Sequence, residues 1–297
     1  MKVQLRTLFT FIIFFIMTSG FTAQAQIKIG VFADCQYCDC DPAINRYYRN
    51  SLNKLDVCLN EFNNDKKIEF VVGLGDLIDH NISSFDSVNH VLKQSKNKVY
   101  HVTGNHDLEV DGQFLDEVPD KLNLKKTYYT FRKKNWQFIF LDGNEITTHS
   151  NNPEIVDEAN NWLSKLTIEN QPNNKPWNGG ISESQQNWLI KQLETATQKK
   201  RNVILFCHYP LLPSEAHALW NSKEILSIIE KYDCVKAWIN GHNHGGNYAM
   251  ENGIHFINLK GMVETESENA YSTITFSDNR IEVEGFGREV TRSLPVK

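Results

Sequence analysis

Five short segments of this 297-residue chain carry the residue types that bind metal ions: Asp34-Cys35-Gln36, Gly75-Asp76-Leu77-Ile78-Asp79, Gly104-Asn105-His106-Asp107, Cys207-His208 and Gly241-His242-Asn243-His244. Carboxylate, amide and imidazole groups are hard or borderline ligands, suited to divalent cations. One segment alone would be ordinary turn chemistry, because Gly-Asp and Gly-Asn dipeptides are common in loops. Together, Asp34, Gln36, Asp76, Asn105, His208, His242 and His244 supply enough donors for a dinuclear site. Asp76 is the natural bridge, since a carboxylate can give one oxygen to each of two cations.

Each segment follows a run of strand formers. Ile27 to Phe32 leads to Asp34, Ile68 to Val72 to Asp76, and Val99 to Val102 to Asn105; Val203 to Phe206 leads to His208, and Val235 to Ile239 to His242. Near-continuous apolar runs of this kind mark strands buried on both faces. In α/β proteins, ligands gather where loops leave the carboxyl ends of such strands. Helices are expected at Arg46 to Phe62, with apolar spacings of four, three, four and three, and at Val88 to Gln94. Others are expected at Ser222 to Tyr232 and from the capping box Ser182-Glu183-Ser184-Gln185 through Lys199. A hairpin is expected around Lys133-Lys134-Asn135 and closing strands at 254–259, 270–276 and 280–285. The Asn-rich stretch 144–180, with a short helix over 158–166, reads as an insertion over the active edge. The pattern predicts an α/β fold: a four-layer αββα sandwich of two mixed sheets.

Composition narrows the class. Hydrophobic residues make up 40% and charged residues 23% of the chain, enough to bury the core of one domain spanning 26–297. A net charge of −5 gives no electrostatic reason to bind nucleic acid. At the amino terminus, Lys2 and Arg6 precede the apolar run Leu8 to Met17 and then Ala23-Gln24-Ala25. This is the layout of a secretory signal peptide over residues 1–25, and the apolar run is short for a membrane span. The expectation is an exported, periplasmic or secreted protein whose mature chain is not inserted in a membrane, with its assembly state left open. The six cysteines are expected to be mostly free thiols, a Cys38–Cys40 link being too close in sequence for easy bridging. His101 reads as a core or sheet-edge histidine.

The five segments in this order resemble the metallophosphoesterase (calcineurin-like) superfamily. Carried over position by position, the resemblance puts Asp34, Gln36, Asp76 and His244 on one metal and Asp76, Asn105, His208 and His242 on the other. It implies activation of water for in-line attack on phosphorus, with His106 as hydrogen-bond donor or acid and Asp79 holding its ring. The superfamily's first motif is usually Asp-x-His; here Gln36 replaces the imidazole, which hardens the donor set toward manganese, with magnesium or zinc as alternatives. That variant, with Phe32-Ala33-Asp34-Cys35-Gln36-Tyr37, Arg46-Tyr47-Tyr48-Arg49, Trp177-Asn178-Gly179-Gly180-Ile181-Ser182, Trp220-Asn221 and Gly261-Met262-Val263-Glu264-Thr265, resembles the manganese-dependent ADP-ribose/CDP-alcohol diphosphatase family. The resemblance implies hydrolysis of the diphosphate bridge in a small nucleoside-diphosphate substrate. A broad phosphomonoesterase, nucleotidase or phosphodiesterase on the same site is the alternative, and a non-catalytic metal-binding module a further one. Tyr37, Trp177, Trp220 and His217 are the candidate substrate contacts.

Overall fold

The computed structural model describes residues 26–296. The signal-peptide reading of residues 1–25 lies outside them. Two six-stranded mixed sheets form the centre. The first orders its strands β12 (Arg292–Pro295), β11 (Arg280–Gly287), β10 (Ala270–Ser277), β1 (Ile27–Phe32), β2 (Ile68–Gly73) and β3 (Val99–His101). The second runs β4 (Tyr129–Lys133), β5 (Trp136–Phe140), β6 (Asn202–Phe206), β7 (Val235–Asn240), β9 (Ile254–Asn258) and β8 (Asn247–Glu251). Within the first sheet β1, β2 and β3 are parallel, and within the second β5, β6, β7 and β9 are parallel.

Strand alternation explains the layers. Ile29, Val31, Phe70 and Val72 meet Phe138, Phe140, Phe206 and Ile239 between the sheets, while Phe32 and Val71 face outward. Onto that outer face pack Leu55, Leu59 and Phe62 of α1 (Tyr48–Asn64) and Phe85 and Val88 of α2 (Ser84–Leu92). On the other sheet, Leu189 and Leu193 of α5 (Glu183–Gln198) and Ile225 and Ile229 of α6 (Ser222–Ile229) cover Val203, Leu205 and Trp238. This is the expected αββα sandwich, each face burying the apolar stripe its period dictates. The two sheets are also tied at one edge. Tyr129 on β4 accepts from His101 N–H at 3.1 Å and donates to His101 C=O at 2.8 Å, satisfying the outer groups of edge strand β3.

Several sequence expectations are corrected. The second helix spans Ser84–Leu92 rather than 88–94, and the helix in the Asn-rich stretch, α4, spans Pro153–Ile168 because Asn152 caps it through Glu154 N–H. Strands β8 and β12 were not expected; both are short, and between them only Leu294 is fully buried within the strand, so their patterns are weak. The capping box is half formed: Ser182 accepts from Gln185 N–H, but the Gln185 side chain turns to Asp142 and Glu145. Cys38 and Cys40 are disulfide-bonded, because the chain bends at Asp39 and brings their Cα atoms to 5.2 Å, within disulfide reach. Cys35, Cys58, Cys207 and Cys234 are free.

Candidate metal centre

Parallel strands deliver their carboxyl-end loops to one edge, and the loops are crossed together there. Asp34 N–H donates to Gly75 C=O, Gly241 N–H to His208 C=O, and His242 N–H to the Asp34 carboxylate at 3.0 Å. Asp34, Gln36, Asp76 and His242 all hold left-handed backbone, with φ of 52°, 44°, 52° and 68°. Non-glycine residues rarely adopt it, and such strain collects at functional sites. Two glycines make room. A Cβ on Gly75 (φ +89°) would lie 2.7 Å from His208 Nδ1, and one on Gly104 would lie 2.0 Å from an Asp76 carboxylate oxygen.

Two groups of potential ligands share one residue. Asp76, His208 and His242 converge, and so do Asp34, Asp76 and His244, all of them buried. Asn105 joins the first group, its Oδ1 lying 3.3 Å from His208 Nε2. Gln36 donates from Nε2 to Asp76 Oδ2 at 3.1 Å, which leaves its Oε1 buried without a partner; Asp34 Oδ2 is orphaned in the same way. Buried acceptors left open are costly unless something positive meets them. The residues fit two divalent cations: open oxygen acceptors and three imidazoles around a shared carboxylate. Burial raises the Asp34 pKa. Burial works the same way on Asp76, but His208, His106 and His242 override it and hold that carboxylate well below its usual range. Burial opposes charge on His208, yet Asp76 and Asp34 push it up to about 9.

Neighbouring residues fix the ligands. His208 Nδ1 lies 2.8 Å from Leu74 C=O, His242 Nε2 2.9 Å from Asn178 Oδ1, and His244 Nδ1 2.9 Å from Glu264 Oε1. Such partners orient imidazole ligands. Asp107 accepts from the backbone N–H groups of Asp76, Leu77 and Gly104, clamping the Asp76 loop to the Asn105 loop. His106 stands beside the centre. Its Nδ1 is 2.6 Å from Asp79 Oδ1 and 3.2 Å from Glu109 Oε2, its Nε2 is 3.5 Å from an Arg46 nitrogen, and its backbone N–H donates to Asp76. Burial would lower its pKa, but Asp76, Asp79 and Glu109 outweigh that and push it up to about 11.

A cleft of about 350 Å³ opens over these residues, with Gln36, Asp76, Asn105, His106, His242 and His244 at its base and Arg46, Glu109, Trp177 and His217 on its walls. Of the candidate substrate contacts, Trp177 and His217 line this cleft, and Tyr37 and Trp220 do not. Tyr37 packs on the apolar layer under α1 and α2, and Trp220 is buried against Ile146 and Ala159 with its Nε1 bonded to Lys175 C=O. Sequence reasoning gave no role to Glu109, Glu264, Asn178 or Arg46. Asn178, Glu264 and Arg46 lie in segments it singled out; for Glu109, three residues past His106 in a 3₁₀ turn, only that spacing was available.

A sequence model described as "Calcineurin-like phosphoesterase" matches residues 27–246. The chain is 29% identical to the manganese-dependent ADP-ribose/CDP-alcohol diphosphatase of Arabidopsis thaliana, covering 89% of this chain and 96% of that one. It is 29% identical to the Xenopus laevis protein of the same name, covering 91% of each. The crystal structure of a dimetal phosphatase from Danio rerio shares the fold with a TM-score of 0.82 at 24% identity, covering 91% of this chain and 99% of that chain. With a family model spanning most of the chain and all five ligand loops meeting at one strand edge, the protein belongs to the calcineurin-like phosphoesterases, a family of metal-dependent hydrolases.

Proposed function

We propose that this protein hydrolyses the diphosphate bridge of nucleoside-diphosphate compounds such as ADP-ribose or CDP-alcohols, with two divalent cations and manganese foremost. The observation that carries the reading is the sharing of Asp76 between two buried ligand groups, the arrangement a two-cation hydrolase needs. The substrate class is supported by likeness to the diphosphatases over nearly the whole described chain. Asp34, Gln36, Asp76 and His244 would hold one cation, and Asp76, Asn105, His208 and His242 the other. When bound, the cations polarise water and offset phosphoryl charge. His106, with Nδ1 held against Asp79 and Nε2 on the cleft side, 3.5 Å from an Arg46 nitrogen, protonates or hydrogen-bonds the departing oxygen. Trp177 and His217 give the rest of the substrate a wall to lie on. The export layout of residues 1–25 supports a further proposal, that the enzyme works outside the cytoplasm.

The test is product identity. Purified protein should be assayed on ADP-ribose, CDP-choline, AMP and p-nitrophenyl phosphate with manganese, magnesium or zinc. The expected result is AMP with ribose 5-phosphate, or CMP with phosphocholine, fastest in manganese. Faster release of orthophosphate from the monoesters would favour a phosphomonoesterase and overturn the reading.

A further inference from the structure

Arg46 brings a guanidinium to the cleft, and with His244 it helps hold the Glu264 carboxyl below its usual range. Arg49, Arg280 and Arg292 each pair with a carboxylate, but Arg46 makes no ion pair among the described residues. Nearby Glu264 already directs Oε1 to His244. Among the described residues, the Arg46 guanidinium comes within hydrogen-bond distance of one side-chain atom, His106 Nε2, at 3.5 Å, the atom that faces the departing oxygen. A half-buried guanidinium outside any ion pair among the described residues, next to a proton donor, can receive an anion.

Its placement is built rather than incidental. Arg46 closes a tight turn in which its backbone N–H and C=O both bond Ala43. That turn is pinned to a second loop by Tyr47 N–H to Val263 C=O and Thr265 N–H to Asn45 C=O. At the tip, Ile44 holds φ 55° and is 98% exposed, an unfavourable conformation for a β-branched residue that such a turn must enforce. Arg46 also lines a second hollow of about 390 Å³ with Ile44, Asn45, Tyr48 and Glu264, next to the metal cleft. Arg46 therefore borders two spaces, one over the ligand cluster and one beside it.

Resting on the proposed function, we propose that Arg46 receives the departing phosphoryl group and sets the preference for a diphosphate bridge over a phosphomonoester. The chemistry distinguishes the two cases. In a diphosphate, water adds to one phosphorus, the bridging P–O bond breaks, and its electron pair stays on an oxygen of a second, anionic phosphoryl group. In a phosphomonoester the pair stays on the oxygen of an alcohol or phenol, with no second phosphoryl group and none of its further anionic oxygens to hold. A cation beside the proton donor contributes to the first reaction and has little to hold in the second. The second hollow accommodates the half of the substrate attached to the departing phosphate.

Arg46→Ala and Arg46→Lys should be compared with the parent protein, all loaded with manganese. The ratio of kcat/KM for ADP-ribose to that for p-nitrophenyl phosphate should fall about 10²-fold in Arg46→Ala and by less in Arg46→Lys, which keeps charge but loses the fork. Inhibition of p-nitrophenyl phosphate hydrolysis by methylenediphosphonate should weaken about tenfold more than inhibition by methylphosphonate. Equal losses for both substrates and both inhibitors would overturn the assignment and leave Arg46 as a support for His106. If the parent protein leaves ADP-ribose and CDP-choline intact, the functional reading fails instead, and the inhibitor comparison alone decides the role of Arg46.

Discussion

His106 is held by charges on both ring nitrogens, and that separates its role from those of its neighbours. Replacing it with Ala removes no atom from either shared ligand group, so metal content by elemental analysis should stay near parent level while turnover falls about 10²–10⁴-fold. Asp76→Ala should instead lose metal and activity together; metal loss from His106→Ala would make the ring a ligand. Because Asp76 and, after it, Asp79 and Glu109 raise the His106 pKa against its burial, Asp79→Asn should move the alkaline limb of the rate profile to lower pH by about one unit. A limb that stays put would mean that another group carries the proton. Gln36 poses a different question. Its buried, unpartnered Oε1 points to an oxygen-rich set, so Gln36→His should shift the activity profile from manganese toward zinc. Identical profiles would mean that Gln36 acts only by donating to Asp76. These residues were legible in the sequence because each follows a buried strand within a few positions. Asn178, Glu109 and Glu264 were not, because which loop returns to orient a histidine is decided by packing far along the chain.

Among elements, edge strand β3 carries the clearest liability. His101 is buried there, and burial alone pushes its pKa down to about 4 from an ordinary 6.5. The folded ring stays neutral between those values while an unfolded histidine takes up a proton, so the unfolded chain gains and stability falls as pH drops from about 6.5 to 4. The loss should approach about 3 kcal/mol at the acid end. Thermal melts of the parent and His101→Leu across that window check this: the stability gap between pH 7 and 4.5 should narrow in the variant. Tyr129→Phe attacks the same edge differently, stripping both backbone groups of His101 of their partner, and should destabilise by about 1–3 kcal/mol at neutral pH. An unchanged melt would mean that water replaces the phenol. The histidine's core position was readable from its apolar flanks, but the tyrosine clamp was not, since it joins two sheets across 28 residues. The same limit hid β8 and β12, short strands whose place is set by a partner strand rather than by their own period.

At the scale of the whole molecule, the first strand, β1, lies directly after the proposed leader. Ile27 already pairs with Phe276, and Gln26 C=O accepts from Lys134, so a cut after Ala25 would leave β1 and both sheets intact. The Cys38–Cys40 bridge, set beside the candidate metal loops, would persist in an oxidising compartment and be reduced in the cytoplasm. Expression of the full chain in a bacterial host, followed by fractionation and intact mass, tests both at once. The expected product is extracytoplasmic, begins near Gln26 and weighs two hydrogens less than the fully reduced chain. Replacing Ala23 and Ala25 with bulky residues should block processing and leave the longer species, since small side chains are what the cleavage site presents. A full-length protein in the cytoplasm, with thiols at 38 and 40 open to alkylation, would overturn export while leaving the hydrolytic site unaffected.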